Sequence, residues 1–180
     1  ASTGLSEALN FNFVLESDLE SMLLGPEACV TVSNPMSADQ KYLRPTLLPN
    51  LVANVRTNIG RGVRDVALFE IGKTFVHGDT GPCERLSLAI ILSGKAIAPN
   101  WNEPAGRDYD YFDAKGIAEQ VMRFMGISGV SWERLTLPVW HPGRSAAIVH
   151  EGKTIGRIGE LHPARCKALD INQRVVMMEI

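Results

Sequence analysis

The chain has 180 residues, 45% of them hydrophobic and 21% charged, with a formal net charge of -2. That balance excludes a disordered chain and allows a sizeable core without covalent staples. It also excludes a global positive field, so any RNA contact would have to come from a local patch.

The three cysteines, Cys29, Cys83 and Cys166, are far apart and odd in number, and no C-x-x-C pair exists. This argues against zinc and for a reducing, cytoplasmic setting. No charged-then-apolar leader opens the chain and no apolar run approaches about 18 residues, so neither an export signal nor a membrane span is expected. The sequence enters an apolar segment soon after Ala1 and stops in the strand-like run Val175 to Ile180. The expectation is one domain over residues 1–180, cut from a longer polypeptide.

In chain order, Asn10 to Leu15 is aromatic and β-branched and predicts a strand. Asp18 to Leu24 predicts a short helix capped by Ser17 or Asp18 and stopped by Gly25-Pro26. Cys29 to Val32 predicts a strand and Ser33-Asn34-Pro35 a turn. Thr46 is placed to cap a helix whose apolar positions, Leu47, Leu48, Leu51, Val52, Val55 and Ile59, recur near a period of 3.6. Pro49 is tolerated in its first turn and Gly60 ends it. Val66 to Ile71 is apolar on both faces, as in an interior strand, and Glu70 interrupts that pattern.

Arg85 to Ser93 predicts a second interior strand and Gly94 to Asp110 a loop. Asp110 or Asp113 starts a helix with Ala114, Ile117, Ala118, Val121, Phe124 and Met125 as its buried stripe, closed by Gly126. Val130 to Leu137 predicts a strand, and Ser145 to His150 with Lys153 to Leu161 a hairpin about Glu151-Gly152. His162-Pro163 opens a short helix, and Arg174 to Ile180 is the last strand. Hairpin-joined strands with helices inserted between groups argue α+β, with a largely antiparallel sheet flanked by helices. Neither G-x-G-x-x-G nor G-x-x-x-x-G-K-[ST] occurs, so the common nucleotide-binding loops are not indicated.

Four segments occur in order: Asn34-Pro35-Met36-Ser37 with Leu43-Arg44-Pro45-Thr46-Leu47-Leu48-Pro49; Leu68-Phe69-Glu70-Ile71-Gly72-Lys73-Thr74-Phe75; Asp110-Tyr111-Phe112-Asp113-Ala114-Lys115-Gly116; and His141-Pro142-Gly143-Arg144-Ser145-Ala146 with Ile158-Gly159-Glu160-Leu161-His162-Pro163. Together, from about Leu5 to Ile180, they resemble the synthetase-core-like region of the bacterial phenylalanyl-tRNA synthetase beta subunit. The resemblance implies a class II aminoacyl-tRNA synthetase-like core that is catalytically silent. It implies pairing with the alpha subunit, which carries the active site, in a heterotetramer of two alpha and two beta subunits that acts on tRNA, with ATP and magnesium used by that parent complex. Active class II synthetases carry an arginine just after the strand equivalent to Leu68–Phe75, and an acid two positions later. Here those positions read Val76 and Gly78. A lost phosphate clamp removes on the order of 10²–10³ in rate. No catalytic, cofactor-binding or metal-ligating residue is therefore assigned to this chain.

Several residues carry two readings. Arg44 could meet RNA or a partner chain, or could neutralise Glu70, since a buried carboxylate needs a partner. Arg56, Arg61 and Arg64 could bind tRNA phosphate or form a solvated helix end and loop. Trp140-His141-Pro142-Gly143-Arg144 could bind an anion or form a tight turn, with Gly143 supplying an unusual backbone angle. His77, His141, His150 and His162 lack metal-ligand spacing. Asp113 and Lys115 read as a helix cap with a solvated lysine. Two functions follow: an architectural subunit exposing an apolar patch larger than a few hundred Å², its apolar N-terminal strand near a subunit contact; or an adenylate-forming ligase using Arg44, Glu70 and Arg144.

Overall fold

The computed structural model describes residues 4–180; the first three residues of the expected domain lie outside the described residues. Strands β1 (Ser6–Glu7) and β2 (Phe13–Val14) precede helix α1 (Glu16–Ser21), and β3 (Val30–Thr31) and β4 (Tyr42–Leu43) precede α2 (Leu48–Gly60). The long strands β5 (Val66–Gly78) and β6 (Gly81–Ser93) follow, then β7 (Lys95–Ile97), β8 (Arg107–Asp108) and helix α3 (Tyr111–Phe124). The chain continues through β9 (Ser131–Arg134), β10 (Trp140–His150), β11 (Lys153–Leu161), helix α4 (Pro163–Ala168) and β12 (Val175–Glu179). Among the described residues, one seven-stranded sheet has the order β1-β5-β6-β12-β11-β10-β9. Its neighbours are antiparallel except β1 and β5. This is the α+β architecture expected from the hairpin pattern.

Alternation along the strands gives the sheet two apolar faces. On one, α2 sets Leu48, Leu51, Val52 and Val55 against Ala89, Ile91, Val175 and Met177. On the other, α3 sets Ala114, Ala118 and Met122 against Ile90, Leu92, Ile158, Val176 and Met178. β12 lies at the centre and feeds both cores, which is why Val175 to Met178 is fully buried.

Several boundaries differ from expectation. Helix α1 starts at Glu16 with Leu15 at its cap and no side-chain cap bond, and it stops at Ser21. Glu16 and Asp18 place negative charge in its first turn, which favours that start. The strand expected over Asn10 to Leu15 shrinks to β2, paired with β4. The expected loop Gly94 to Asp110 contains a small ladder, β7 with β8. The stripe of α3 ends early: Met122 is buried, whereas Phe124 and Met125 are 94% and 59% exposed.

The Trp140–Arg144 segment is no tight turn. It runs within β10 as a bulge, because Trp140 pairs with Leu161 while Ser145 already pairs with Gly159. Gly143 is not among the residues at positive φ. The special conformation sits across the bulge at Gly159 (φ 156), where an added Cβ would lie 2.5 Å from the Cβ of Ser145. The β10–β11 hairpin turns as expected, with Glu151 and Gly152 at φ 49 and 73 in a two-residue connection.

Candidate functional site

Among the described residues, Arg44 and Glu70 form the most buried ion pair, both 2% exposed. An Arg44 terminal nitrogen meets Glu70 Oε1 at 2.6 Å. Arg44 Nε donates to the Lys73 carbonyl at 3.0 Å, and Asn12 Oδ1 accepts from its other terminal nitrogen at 3.4 Å. The second Glu70 oxygen accepts from the Asn10 side chain at 2.8 Å. Asn54 of α2 donates to Asn10 Oδ1 at 3.2 Å, which ties the helix to the pair. Gly72 makes room for it, since a Cβ there would collide with the Arg44 guanidinium. Arg44 is thus engaged internally, and the reading in which it neutralises Glu70 is the one the structure adopts.

On the same sheet face, a cleft of about 480 Å³ opens between the β5–β6 ribbon and the β10–β11 hairpin. Val76 stands in its wall near Thr74 and Ser87, whose hydroxyls lie 3.2 Å apart. Glu179 reaches its floor, where its carboxylate accepts from the Leu47 N–H at 2.8 Å and from the Thr46 hydroxyl. The expected Thr46 cap of α2 is therefore replaced. Leu47 occupies the cap position, Thr46 Oγ1 accepts only a 3.3 Å bond from Leu48, and an acid from the last strand meets the positive helix end. Burial pushes the Glu179 carboxyl above its ordinary value, against the pull of these hydrogen bonds and of Arg157 and Arg44. Arg85 and Arg157 complete the charged lining; both are exposed. Sequence reasoning missed all three residues. Glu179 carried the signal that exposed Glu70, a lone acid in an apolar strand.

Arg144 does not join Arg44. Its Nε lies 2.8 Å from Glu160, which Arg174 also approaches at 3.2 Å. Glu160 pairs with Val176 across the sheet and so belongs to the α3 face. Three of the four histidines carry structural hydrogen bonds. His141 Nδ1 accepts from Gly143, His162 Nδ1 caps α4 through Ala164, and His77 bonds the Cys29 carbonyl. Among the described residues, no three His, Cys, Asp or Glu side chains converge as a metal site.

Asp110 caps α3, and Asp113 closes a capping box with it. Two hydrogen bonds from Arg107 hold the Asp113 carboxyl below its usual range. Lys115 is not free in solvent: it pairs with Glu119 at 2.6 Å and lies over the Trp132 ring. Arg56 and Arg61 lie on the solvent side of α2 and its end, and Arg64 in the following loop.

The opposite sheet face carries an open apolar groove of about 1110 Å³. Phe69, Ile71, Leu86 and Leu88 form its floor, and Val121 and Phe124 of α3 one wall. Leu86 is 74% and Ile71 52% exposed.

The pyrrolysyl-tRNA synthetase from Desulfitobacterium hafniense has this fold. It matches 98% of this chain and 60% of its own at a TM-score of 0.72, with 16% sequence identity. The sheet and its flanking helices are those of a class II aminoacyl-tRNA synthetase-like core. Residues 1–180 also match the model of the phenylalanyl tRNA synthetase beta chain CLM domain, and the chain belongs to that family. Among its relatives, the phenylalanine–tRNA ligase beta subunit of Xanthomonas axonopodis pv. citri is 42% identical over 98% of this chain. That of Listeria innocua serovar 6a is 35% identical over 96%. In both cases the chain spans 22% of the relative's length. No helix among the described residues is long and apolar enough to cross a membrane.

Proposed function

We propose that this chain is the catalytically silent, synthetase-like module of a phenylalanine–tRNA ligase beta subunit. Its work is to hold the catalytic alpha subunit in a cytoplasmic heterotetramer of two alpha and two beta chains. The parent complex uses ATP and magnesium to attach phenylalanine to tRNA, and the tRNA is met through that complex. One observation carries this reading. Arg44 is locked to Glu70 at 2.6 Å, and the position just after the β5 motif, where the phosphate-binding arginine would stand, is Val76 in the cleft wall. Adenylate formation needs fixed positive charge on the phosphate, and Arg144 is engaged with Glu160 on the other face. The groove of Ile71, Leu86 and Phe124 supports assembly, because exposed apolar surface of this extent suits a partner chain.

The test is co-expression with the alpha subunit, capture through a tag on one chain and native mass measurement. A stable complex is expected, weakened by Ile71→Asp with Leu86→Asp and unchanged by Arg61→Gln. Failure of the two chains to co-purify would contradict the assembly reading.

A further inference from the structure

The 480 Å³ cleft on the α2 face has a chemistry that assembly does not use. Its charged lining consists of Arg85, Arg157 and Glu179. Neither arginine has an ion-pair partner among the described residues, whereas Arg44, Arg107, Arg144 and Arg174 each have one. Strand register fixes where they stand. Arg157 lies directly across from Glu179, and Glu179 directly across from Ala89 on β6. Arg85 is four residues along β6 from Ala89 (89 − 85 = 4), on the same face. At about 3.4 Å per residue and about 4.8 Å per strand, the two arginine Cα atoms are roughly 17 Å apart. Two long cationic side chains therefore flank the cleft from opposite rims. Between them lie the hydroxyls of Thr74 and Ser87 and an apolar wall that includes Val76, Val139 and Trp140.

We propose that this cleft binds a small organic monoanion, a carboxylate with a planar apolar body. Two guanidinium groups without ion-pair partners favour an anion, and the buried Glu179 carboxyl at the floor disfavours bringing a second negative charge against it. A planar carboxylate fits the guanidinium fork with two parallel hydrogen bonds. The volume falls within the roughly 300–1,000 Å³ of small-molecule sites, and the mixture of apolar wall and few polar groups is theirs. Glu179 is held at the end of α2 by Leu47 and Thr46 and forms no ion pair with either guanidinium among the described residues, although Arg157 is within electrostatic reach of it.

The experiment is titration of this chain with 2-naphthoate, followed by the indole N–H resonances of its three tryptophans. Trp140 lines the cleft, while Trp132 packs on the α3 face and Trp101 is exposed in a loop, so the latter two are internal controls. A saturable shift of Trp140 alone is expected, with a Kd on the order of 1 mM or tighter for a ligand this small. Arg85→Gln and Arg157→Gln should each weaken binding about tenfold, the loss expected for one charge-assisted hydrogen bond. 2-Naphthol, with the same body and no carboxylate, should bind at least tenfold more weakly by the same argument. Four results would overturn the proposal: no saturable response up to about 10 mM, equal binding of 2-naphthol, a response at Trp132 or Trp101 instead, or displacement by inorganic phosphate. The assembly test stays distinguishable through Ile71→Asp, which lies on the groove alone, whereas Leu86 borders both the groove and the cleft.

Discussion

Arg44 and Glu70 are 26 residues apart in the chain and meet at 2.6 Å beneath the sheet, with side chains 2% and 3% exposed. Removing one partner leaves a buried charge unpaired. Arg44→Met or Glu70→Leu alone should each destabilise the chain by about 3–5 kcal/mol, and the double variant should lose less than the sum. Gly72→Ala should also destabilise, because the new methyl displaces the guanidinium. Urea unfolding of the four members of the cycle checks this; strict additivity would refute a coupled pair.

Glu179 gives a pH dependence with a definite sign. Burial raises its carboxyl above the ordinary glutamate value of 4.5. In that window the folded chain holds a proton that the unfolded chain has released, so this residue's contribution falls as pH rises. The favourable share is complete below 4.5 and is lost on passing through the raised value. Relative to the wild type, Glu179→Gln should therefore gain stability as pH rises above 4.5. Unfolding curves at stepped pH test it, and a parallel pH profile for the two proteins would contradict it.

The cysteines should separate in reactivity. Cys83 is exposed, whereas Cys29 and Cys166 are buried. Burial and the nearby Glu27 push the Cys29 thiol up to about 11. The thiolate is the reactive form, so a thiol reagent in the native state should label Cys83 quickly and the other two only on unfolding. Mass spectrometry after a short pulse reads the result; fast labelling of Cys29 would disagree.

The groove should make the isolated chain sticky. Leu86 and Phe124 are exposed at 74% and 94%. Leu86→Lys should reduce binding of a hydrophobic dye and leave stability within about 0.5 kcal/mol, since it removes no core packing. Unchanged dye binding would place the apolar surface elsewhere.

The sequence was most informative where a local signal had a local cause. Glu70 stands out because one acid interrupts an apolar strand, and its partner Arg44 lies 26 residues away in the preceding motif. The helix over Leu48 to Gly60 follows from its 3.6 period, and the 151–152 turn from its dipeptide. Glu179 gives the same signal in the last strand, yet its partners Leu47 and Thr46 lie 132 and 133 residues away. Only the central placement of β12 brings them together. Phe124 and Met125 continue the helical period of α3, but the sheet beneath them opens into the groove, and periodicity does not report what lies underneath. The ladder of β7 with β8 is too short to leave a pattern. The bulge at Trp140 to Ser145 depends on Gly159 of the neighbouring strand, so the glycine within the segment was the wrong one to read.

The most direct test of a silent module is phenylalanine-dependent exchange of pyrophosphate into ATP, measured with magnesium on this chain alone and on its complex with the alpha subunit. No exchange above background is expected from the chain alone, and exchange is expected once the alpha subunit is present. Phenylalanine-dependent exchange by the purified chain by itself would contradict the account.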